Sequence, residues 1–271
     1  MKDLPARLGL GTVLVAGIVV AFWLDRGPGG PWITIGIFSL LALAAQWECC
    51  TMLRAAGLAP SLLSSLGLGV ASLAAAALHW PWEQALVLPL AVYLVLEVLG
   101  RRPQQAAQRI GGTLVAWMVV PVMLSSAVVI RSNEVHGWSW LIFLIAVCKA
   151  GDSAGYLIGT AFGRHKLIPE VSPNKSWEGA FASMGGSILA GWVVASTAFP
   201  EGAAPATALW LGAALVTNVG AQFGDLAESL IKRASGVKDS SVAIPAFGGA
   251  FDLVDSFLLA SPALANFLRF A

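Results

Sequence analysis

A dense group of charged residues lies in segment 222–256, between two long apolar stretches. The whole chain has only 16 basic and 15 acidic side chains. Eight of them fall in this segment: Asp225, Glu228, Lys232, Arg233, Lys238, Asp239, Asp252 and Asp255. Charged side chains are unfavourable near a bilayer, so a cluster of them at the edge of apolar segments is a candidate functional site.

The spacing in this group predicts that several side chains share one helix face. Four polar residues follow one another at relative positions 0, 3, 4 and 7, which is one side of an α-helix. They are Asp225, Glu228, Ser229 and Lys232. Asp252 and Asp255 repeat the three-residue spacing at the start of the next apolar run. Two carboxylate-bearing helix ends joined by a basic loop can cradle a divalent metal and a polyphosphate.

The composition is that of an integral membrane protein. Hydrophobic residues make up 57% of the chain and charged residues 11%, against roughly 45–50% and 25% in soluble domains. An apolar stretch of about 20 residues can cross the hydrocarbon core as a helix. The sequence therefore predicts an all-α, polytopic membrane protein that forms a single transmembrane domain, 1–271. About nine spans are predicted, at 8–24, 32–53, 61–79, 83–99, 110–130, 138–162, 178–199, 206–223 and 248–270.

The distribution of Lys and Arg predicts the orientation of these spans. With a cytoplasmic N terminus, 12 basic residues lie on the cytoplasmic side and 3 on the other, while Lys149 falls inside a span. This asymmetry is typical of membrane proteins. It predicts a multi-pass protein of the cell (inner) membrane. The polar loops 163–177 and 224–247 would then share the cytoplasmic side, where the active site is expected.

The sixth predicted span carries glycines at four-residue intervals beside two ionisable residues. The glycines are Gly151, Gly155, Gly159 and Gly163, and we expect them to form a helix-packing face. Asp152 and Tyr156 lie next to this face. Asp152 either pairs with Lys149, three positions away, or contacts a metal or substrate.

The loop after this span contains residues suited to bind an anion. Pro173 follows Ser172 and interrupts any helix, and Ser176 is placed to cap the seventh span. A helix N-terminus next to Lys175 is favourable for a phosphate. A solvated loop with a lysine that reaches toward water is the alternative.

Two acidic residues in the first half of the chain have simpler interpretations. Glu48 lies in an apolar run near Arg54, and Glu97 lies near Arg101. Either could belong to a polar pocket, but we expect both to form structural ion pairs.

Two segments resemble the CDP-diacylglycerol synthase family, the phosphatidate cytidylyltransferases. The first matches at Asp152, Ala154, Gly155, Tyr156, Phe162, Gly163, Lys166, Leu167, Pro169, Ser172, Pro173, Lys175, Trp177, Glu178 and Gly179. The second matches at Ser229, Lys232, Arg233, Lys238, Asp239, Pro245, Gly248, Gly249, Asp252 and Asp255. Two separated motifs of this length are a specific signal. The resemblance marks 138–271 as a catalytic half and leaves 1–137 as helices of unclear role.

The second segment departs from the family pattern at three positions. Phe247 stands where the pattern has His, Leu253 where it has Arg, and Ala246 where it usually has Gly. The first change removes a proton donor or phosphate contact. The second removes a bidentate partner for phosphate or carboxylate. The carboxylates and lysines that could position and neutralise a triphosphate are present.

The resemblance implies that CTP and phosphatidate react to give CDP-diacylglycerol and pyrophosphate, with Mg²⁺ or Mn²⁺ as cofactor. It implies metal ligands at Asp225, Asp252, Asp152 and Asp255. It implies catalytic roles for Asp225, Asp252, Lys232, Lys238 and Asp239. It implies substrate contacts at Lys175, Ser172, Ser176, Tyr156, Arg233, Ser229, Gly248 and Gly249. The expected partners are CTP, phosphatidate and membrane lipids, without nucleic acid, and the small-residue faces would allow a homodimer.

Three other functions stay open from the sequence. A secondary transporter or channel would use intramembrane acids to bind an ion. A non-catalytic relative would explain Phe247 and Leu253. A different member of the family would act on another lipid phosphate or on a polyprenyl-type alcohol.

Overall fold

The computed structural model describes residues 24–25, 30–101, 103–132, 136–237, 240–241 and 248–271. The first predicted span, 8–24, lies almost wholly outside these residues. So do the motif residues Lys238 and Asp239, and Phe247.

The described residues form eight long helices and one small hairpin. The helices are α1 (Trp32–Ala55), α2 (Leu62–Ala77), α3 (Trp82–Leu99), α4 (Ala106–Ser132), α5 (Gly137–Phe162), α6 (Trp177–Thr197), α7 (Thr207–Ala234) and α8 (Ala250–Phe270). The hairpin pairs β1 (Lys166–Ile168) with β2 (Ser172–Ser176). Helices thus occupy the predicted spans from 32 to 270. Five of them, α1, α4, α5, α6 and α8, are long and apolar enough to cross a membrane, which confirms a helical multi-pass membrane protein.

The structure differs from the sequence prediction at two places. Helix α7 continues to Ala234 instead of ending at 223, so the predicted loop 224–247 begins later. In the added turns, Leu226 is buried and Ile231 packs against the core, while Glu228 is buried on a polar face turned toward α8. The loop 163–177 contains the antiparallel hairpin, in which Lys166 pairs with Ser176 and Ile168 with Ser172.

Glycines let the helices of the second half approach closely. A Cβ at Gly151 would meet the hydroxyls of Ser183 and Ser187 on α6, and one at Gly155 would meet the backbone of Gly179. The predicted packing role of these α5 glycines is confirmed. On α7, Gly224 lies against the backbone of α8, so the acidic stretch of α7 is brought against the start of α8.

The first half contains buried polar pairs inside its apolar helices. Gln46 on α1 donates through Nε2 to the carbonyl oxygen and the hydroxyl of Ser65 on α2, at 2.7 and 2.9 Å. The indole of Trp117 on α4 donates to Ser72 Oγ at 2.7 Å. Each of these donors lies in an apolar helix where water is scarce, so a partner on the next helix stabilises it.

Candidate functional site

The C-terminal part of α7 presents an acidic and basic face to α8. The Nζ atom of Lys232 lies 2.8 Å from Glu228 Oε2, one turn back, and 2.8 Å from Asp252 Oδ1 on α8. Asp225 lies one turn before Glu228 on the same face. The predicted one-face arrangement is confirmed, and Lys232 joins the two helices by an ion pair on each side.

Asp252 is fixed by the N-terminus of its own helix. Its Oδ2 atom accepts from the Gly249 N–H at 2.7 Å, as in a capping box, and from the hydroxyl and N–H of Ser240 at 2.6 and 3.2 Å. Gly248, with φ of 85°, adopts the left-handed backbone that favours glycine. Four donors, counting Lys232, therefore hold this carboxylate in one orientation.

Three carboxylates converge between α7 and α8. One oxygen each from Asp225, Glu228 and Asp255 lies within 4.8 Å of the others. Glu228 is buried, and its Oε1 atom has no hydrogen-bond donor among the described residues. This orphaned oxygen beside two further carboxylates fits a hard cation, which prefers oxygen ligands.

The electrostatics of Glu228 agree with a cation at this place. Glu228 lies beyond the predicted span 206–223, on the extension of α7. Burial and the charge of Asp255 raise its pKa to about 9, and the effect of Lys232 does not offset them. Because burial is the larger cause, the charged form of Glu228 is unfavourable here, and a bound cation would stabilise it.

A cleft of about 610 Å³ opens beside these carboxylates, between α5, α6, α7 and the hairpin. Lys175 on β2 reaches into it, and its Nζ atom contacts Asp225 Oδ2 at 2.9 Å and donates to the Gln222 carbonyl at 3.2 Å. Other polar residues on its walls are Asp152, Tyr156, Thr160, Lys166, Asn174, Ser176 and Ser183. The cleft therefore links the lysines of the hairpin to Asp225 of α7.

The hairpin is anchored where α6 begins. Ser176 caps α6 by accepting from the Gly179 N–H at 3.2 Å, as the sequence predicted. Glu178 accepts from the backbone N–H groups of Arg164 and His165 and from the His165 ring, whose Nδ1 lies 2.7 Å away. These bonds hold the hairpin, and with it Lys175, over the cleft.

On α5, Lys149 and Asp152 form the expected pair, with Nζ and Oδ2 3.5 Å apart. Asp152 also lines the cleft. The two interpretations of Asp152 are therefore compatible in space.

The remaining predicted site residues lie at different distances from this centre. Ser229 donates to Asp225 Oδ1 over 3.4 Å, and Gly248 and Gly249 lie directly before α8. Ser172 begins β2, and it is not among the described residues that line the cleft. Arg233 is exposed near the end of α7. Lys238 and Asp239 lie outside the described residues.

Glu48 of α1 lies in a polar pocket, the alternative that its sequence context favoured less than a structural ion pair. Instead of pairing with Arg54, its carboxylate accepts from the Ser241 hydroxyl at 2.6 Å and shares the single hydroxyl proton of Ser240, 2.9 Å away, with Asp252. It also accepts from the Phe251 N–H at 2.9 Å, in the first turn of α8. The expectation of a structural ion pair with Arg54 was wrong, because Arg54 donates to the Pro60 carbonyl. The only sign of this contact in the sequence is an acidic residue, Glu48, within an apolar run. Its partners lie some 200 residues further along the chain.

Glu97 also has a partner different from the expected one. Its Oε2 atom lies 2.7 Å from Nη2 of Arg109 on α4, whereas the sequence indicated Arg101. The expectation of an ion pair was correct, and the choice of partner was wrong because α4 folds back against α3.

Taken together, the fold and the site define a multi-pass membrane protein with carboxylates, lysines and an open cleft at one end of its helices. A model of the Cytidylyltransferase family matches residues 5–271. The chain belongs to that family.

Three similar proteins cover the chain to different extents. A phosphatidate cytidylyltransferase of Brucella suis is 38% identical over 138 residues, which make up 51% of this chain and 50% of that protein. The chain thus spans about half the length of that relative. A phosphatidate cytidylyltransferase of Mycobacterium tuberculosis (strain H37Rv) is 28% identical over 280 residues, covering 95% of this chain and 80% of that protein. The Escherichia coli (strain K12) protein YnbB is 28% identical over 268 residues, covering 94% and 85%.

Proposed function

We propose that the protein transfers the cytidylyl group of CTP to phosphatidate, forming CDP-diacylglycerol and pyrophosphate. Its family and the names of two relatives support the reaction class and the substrates. The observation that carries the proposal is the convergence of Asp225, Glu228 and Asp255, with an orphaned oxygen on Glu228, beside the cleft that holds Lys175.

The acids of α7 and α8 would hold Mg²⁺. Asp225, Glu228 and Asp255 are the ligand candidates that the geometry favours, and Asp252 faces Lys232 next to them. Glu228 was not among the ligands expected from the sequence. When bound, the ion supplies positive charge to phosphate oxygens and orients the triphosphate.

The lysines would bind the phosphate groups of the substrates. Lys175 and Lys232 each lie against a carboxylate, so both can exchange part of that contact for a phosphate oxygen. A phosphatidate oxygen would attack the α-phosphorus of CTP, and the bond to the β-phosphate would break as pyrophosphate leaves. A phosphate monoester is largely dianionic near neutral pH, since its second pKa is about 6. The site therefore needs no strong general base.

The orientation predicted from the distribution of Lys and Arg also gives the side of the membrane on which the site would lie. With nine spans and a cytoplasmic N terminus, the ends of α5 and α7 and the start of α8 face the cytoplasm, from which CTP arrives. The lipid tails of phosphatidate would stay in the bilayer. Residues 138–271 supply most of the site, while Glu48 adds a contact from the first half.

The testing experiment measures pyrophosphate release by the detergent-purified protein with CTP, phosphatidate and Mg²⁺. Turnover should require all three components and be lost in Asp225→Asn and Asp252→Asn. Glu97→Gln, which changes an ion pair on α3, serves as the matched control and should turn over like the wild type. Proteoliposomes that accumulate a solute without CTP turnover would instead support the transporter alternative and refute this function.

A further inference from the structure

A buried chain of hydrogen bonds joins α5, α6 and α7 beside the cleft. Its centre is Asn218 of α7, which is 1% exposed. The Nδ2 atom of Asn218 donates to the hydroxyl oxygens of Ser183 and Ser187 on α6, both at 2.8 Å. Its Oδ1 atom accepts from Nε2 of Gln222, one turn along α7, at 2.6 Å. The chain of bonds thus ends at Gln222, which lines the cleft together with Ser183.

The direction of these hydrogen bonds is fixed from the α5 end. Ser187 donates its one hydroxyl proton to the Val147 carbonyl oxygen at 2.8 Å, so its oxygen can only accept from Asn218. The amide nitrogen of Asn218 must therefore face α6, and its oxygen must face Gln222. The Nε2 atom of Gln222 donates to that oxygen and, at 3.3 Å, to the Ala180 carbonyl. Both amide protons of Gln222 are thus used inside the protein.

Two polar groups of opposite character are left for a ligand in the cleft. Among the described residues, Gln222 Oε1 receives no hydrogen bond, so Gln222 offers an acceptor. The Ser183 hydroxyl accepts from Asn218, but its own proton has no acceptor in the same part of the chain, so Ser183 offers a donor. Both side chains bond to the amide of Asn218, which places the acceptor and the donor next to each other.

Lys175 connects this pair to the phosphate-binding end of the cleft. Its Nζ atom donates to the Gln222 carbonyl oxygen at 3.2 Å and contacts Asp225 Oδ2 at 2.9 Å. Gln222 and Asp225 are three residues apart, which is about 4.5 Å along a helix axis. A nucleotide whose triphosphate lies at Asp225 and Lys175 would therefore have its base within reach of Gln222 and Ser183.

The edge of cytosine matches this pair of groups. Cytosine has an amino donor at C4 next to an acceptor at ring N3, whereas uracil has an acceptor at C4 next to a donor at N3. With the triphosphate held at the other end of the cleft, uracil would set its O4 acceptor against Gln222 Oε1. Buried polar groups left without a partner are unfavourable, so the arrangement selects cytosine.

We propose that Gln222 and Ser183 recognise the cytosine base of CTP. Gln222 Oε1 accepts from the 4-amino group, and the Ser183 hydroxyl donates to ring N3. Asn218 is a positioning residue, because it acts through these two side chains. The inference rests on the proposed function and adds to it the way in which the site selects CTP over UTP.

The experiment compares CTP with UTP as substrate for the wild type, Gln222→Met, Ser183→Ala and Asn218→Leu. Gln222→Met keeps the length of the side chain but removes the acceptor. We would measure kcat and KM for each nucleotide with phosphatidate and Mg²⁺, and the thermal midpoint in detergent to report folding. The matched controls are Gln84→Met, which is exposed on α3, and Ser196→Ala, whose exposed hydroxyl bonds to its own helix.

We expect the wild type to prefer CTP over UTP about 100-fold or more in kcat/KM. Gln222→Met should lower kcat/KM for CTP about 10- to 100-fold and change the value for UTP less than about threefold, because only CTP loses a hydrogen bond. Ser183→Ala and Asn218→Leu should lower the preference about 5- to 10-fold. The two controls should keep it. A network that only holds the helices together would affect both nucleotides alike.

The outcomes separate this inference from the proposed function. A wild type that turns over neither nucleotide refutes the transfer reaction itself. A wild type that uses CTP and UTP equally well overturns the base recognition alone. So does a folded Gln222→Met variant that keeps the preference for CTP, or that loses both nucleotides to the same extent. If Gln222→Met does not fold, an unchanged preference in Ser183→Ala overturns the inference.

Discussion

The two halves of the molecule treat buried polar groups differently. In α1–α4, polar side chains tend to pair with one partner of matching character. The amide of Gln46 donates to Ser65 and the guanidinium of Arg109 faces Glu97 at 2.7 Å. Neither pair carries a net charge, although Gln46 Oε1 has no hydrogen-bond partner among the described residues.

In α5–α8, acidic groups outnumber the basic groups that contact them. Lys232 is shared between Glu228 and Asp252, while Asp225 and Asp255 face each other across the same centre. A buried excess of one charge is unfavourable unless something neutralises it. The two halves thus differ in charge balance: the acidic excess lies at the proposed site, whereas Glu97 and Arg109 form a balanced pair.

The strongest test of this comparison removes one acid from each half. Asp225→Asn deletes a carboxylate of the unbalanced centre and should lower kcat/KM for CTP about 100-fold or more, because phosphoryl transfer depends on charge stabilisation. The Mg²⁺ concentration for half-maximal activity should rise. Glu97→Gln should change neither quantity by more than about threefold, because it weakens only an ion pair with Arg109 that lies outside the acidic centre.

Pyrophosphate release at varied Mg²⁺ measures both effects. If Glu97→Gln impaired turnover as much as Asp225→Asn at equal thermal stability, the division between the halves would be wrong.

Glu48 crosses the division, since it belongs to α1 but bonds to Ser240, Ser241 and Phe251. Glu48→Gln keeps the shape of the side chain but leaves one acceptor oxygen for the three donors of Ser240, Ser241 and Phe251. We expect kcat to fall about tenfold, since residues that orient a site from outside it typically contribute 10- to 100-fold. Steady-state turnover measures the change.

The control for this variant is Glu83→Gln at the exposed start of α3. A Glu48→Gln protein with normal kcat and a lowered thermal midpoint would place Glu48 with the structural pairs of the first half.

The close contact between the halves depends on Gly249. A Cβ at this position would collide with Ser240 Oγ and Glu48 Oε2. Gly249→Ala should therefore displace the start of α8 and lower kcat several-fold to about tenfold, with a loss of about 1–3 kcal/mol in stability from overpacking. Turnover and thermal unfolding in detergent measure the two effects.

Gly185→Ala on α6 is the matched control, because a Cβ there meets no atom within 4 Å. It should retain activity and stability. Equal behaviour of the two variants would show that the contact at Gly249 is not needed for the site.

The sequence was sufficient to predict the helices, because long apolar runs in a membrane protein leave little choice of secondary structure. It also predicted the common face of Asp225, Glu228 and Lys232, since helical spacing is local. The cap at Ser176 followed from the same kind of short-range rule.

Long-range features could not be predicted in this way. The contact of Glu48 with Ser240 joins segments that no periodicity relates, and Lys149 reaches α8 because glycines let α5 and its neighbours pack closely. The hairpin strands Lys166–Ile168 and Ser172–Ser176 are too short for an alternating pattern to stand out. The extension of α7 to Ala234 was missed because its polar face resembles a loop in composition.

The smallest effect is expected where a balanced pair of the first half is broken. Ser72→Ala removes the acceptor of the Trp117 indole N–H, a 2.7 Å hydrogen bond between buried side chains. We expect a loss of about 0.5–1.5 kcal/mol in stability, which corresponds to a fall of roughly 2–4 °C in the thermal midpoint. The value of kcat should stay the same, because neither Ser72 nor Trp117 carries a charge that could act on a substrate. Ser196→Ala, whose exposed hydroxyl bonds only to its own helix at Trp192, controls for the loss of a hydroxyl. A Ser72→Ala protein that lost turnover while keeping its thermal midpoint would connect α2 and α4 to the chemistry, and balanced pairs could then no longer be read as packing alone.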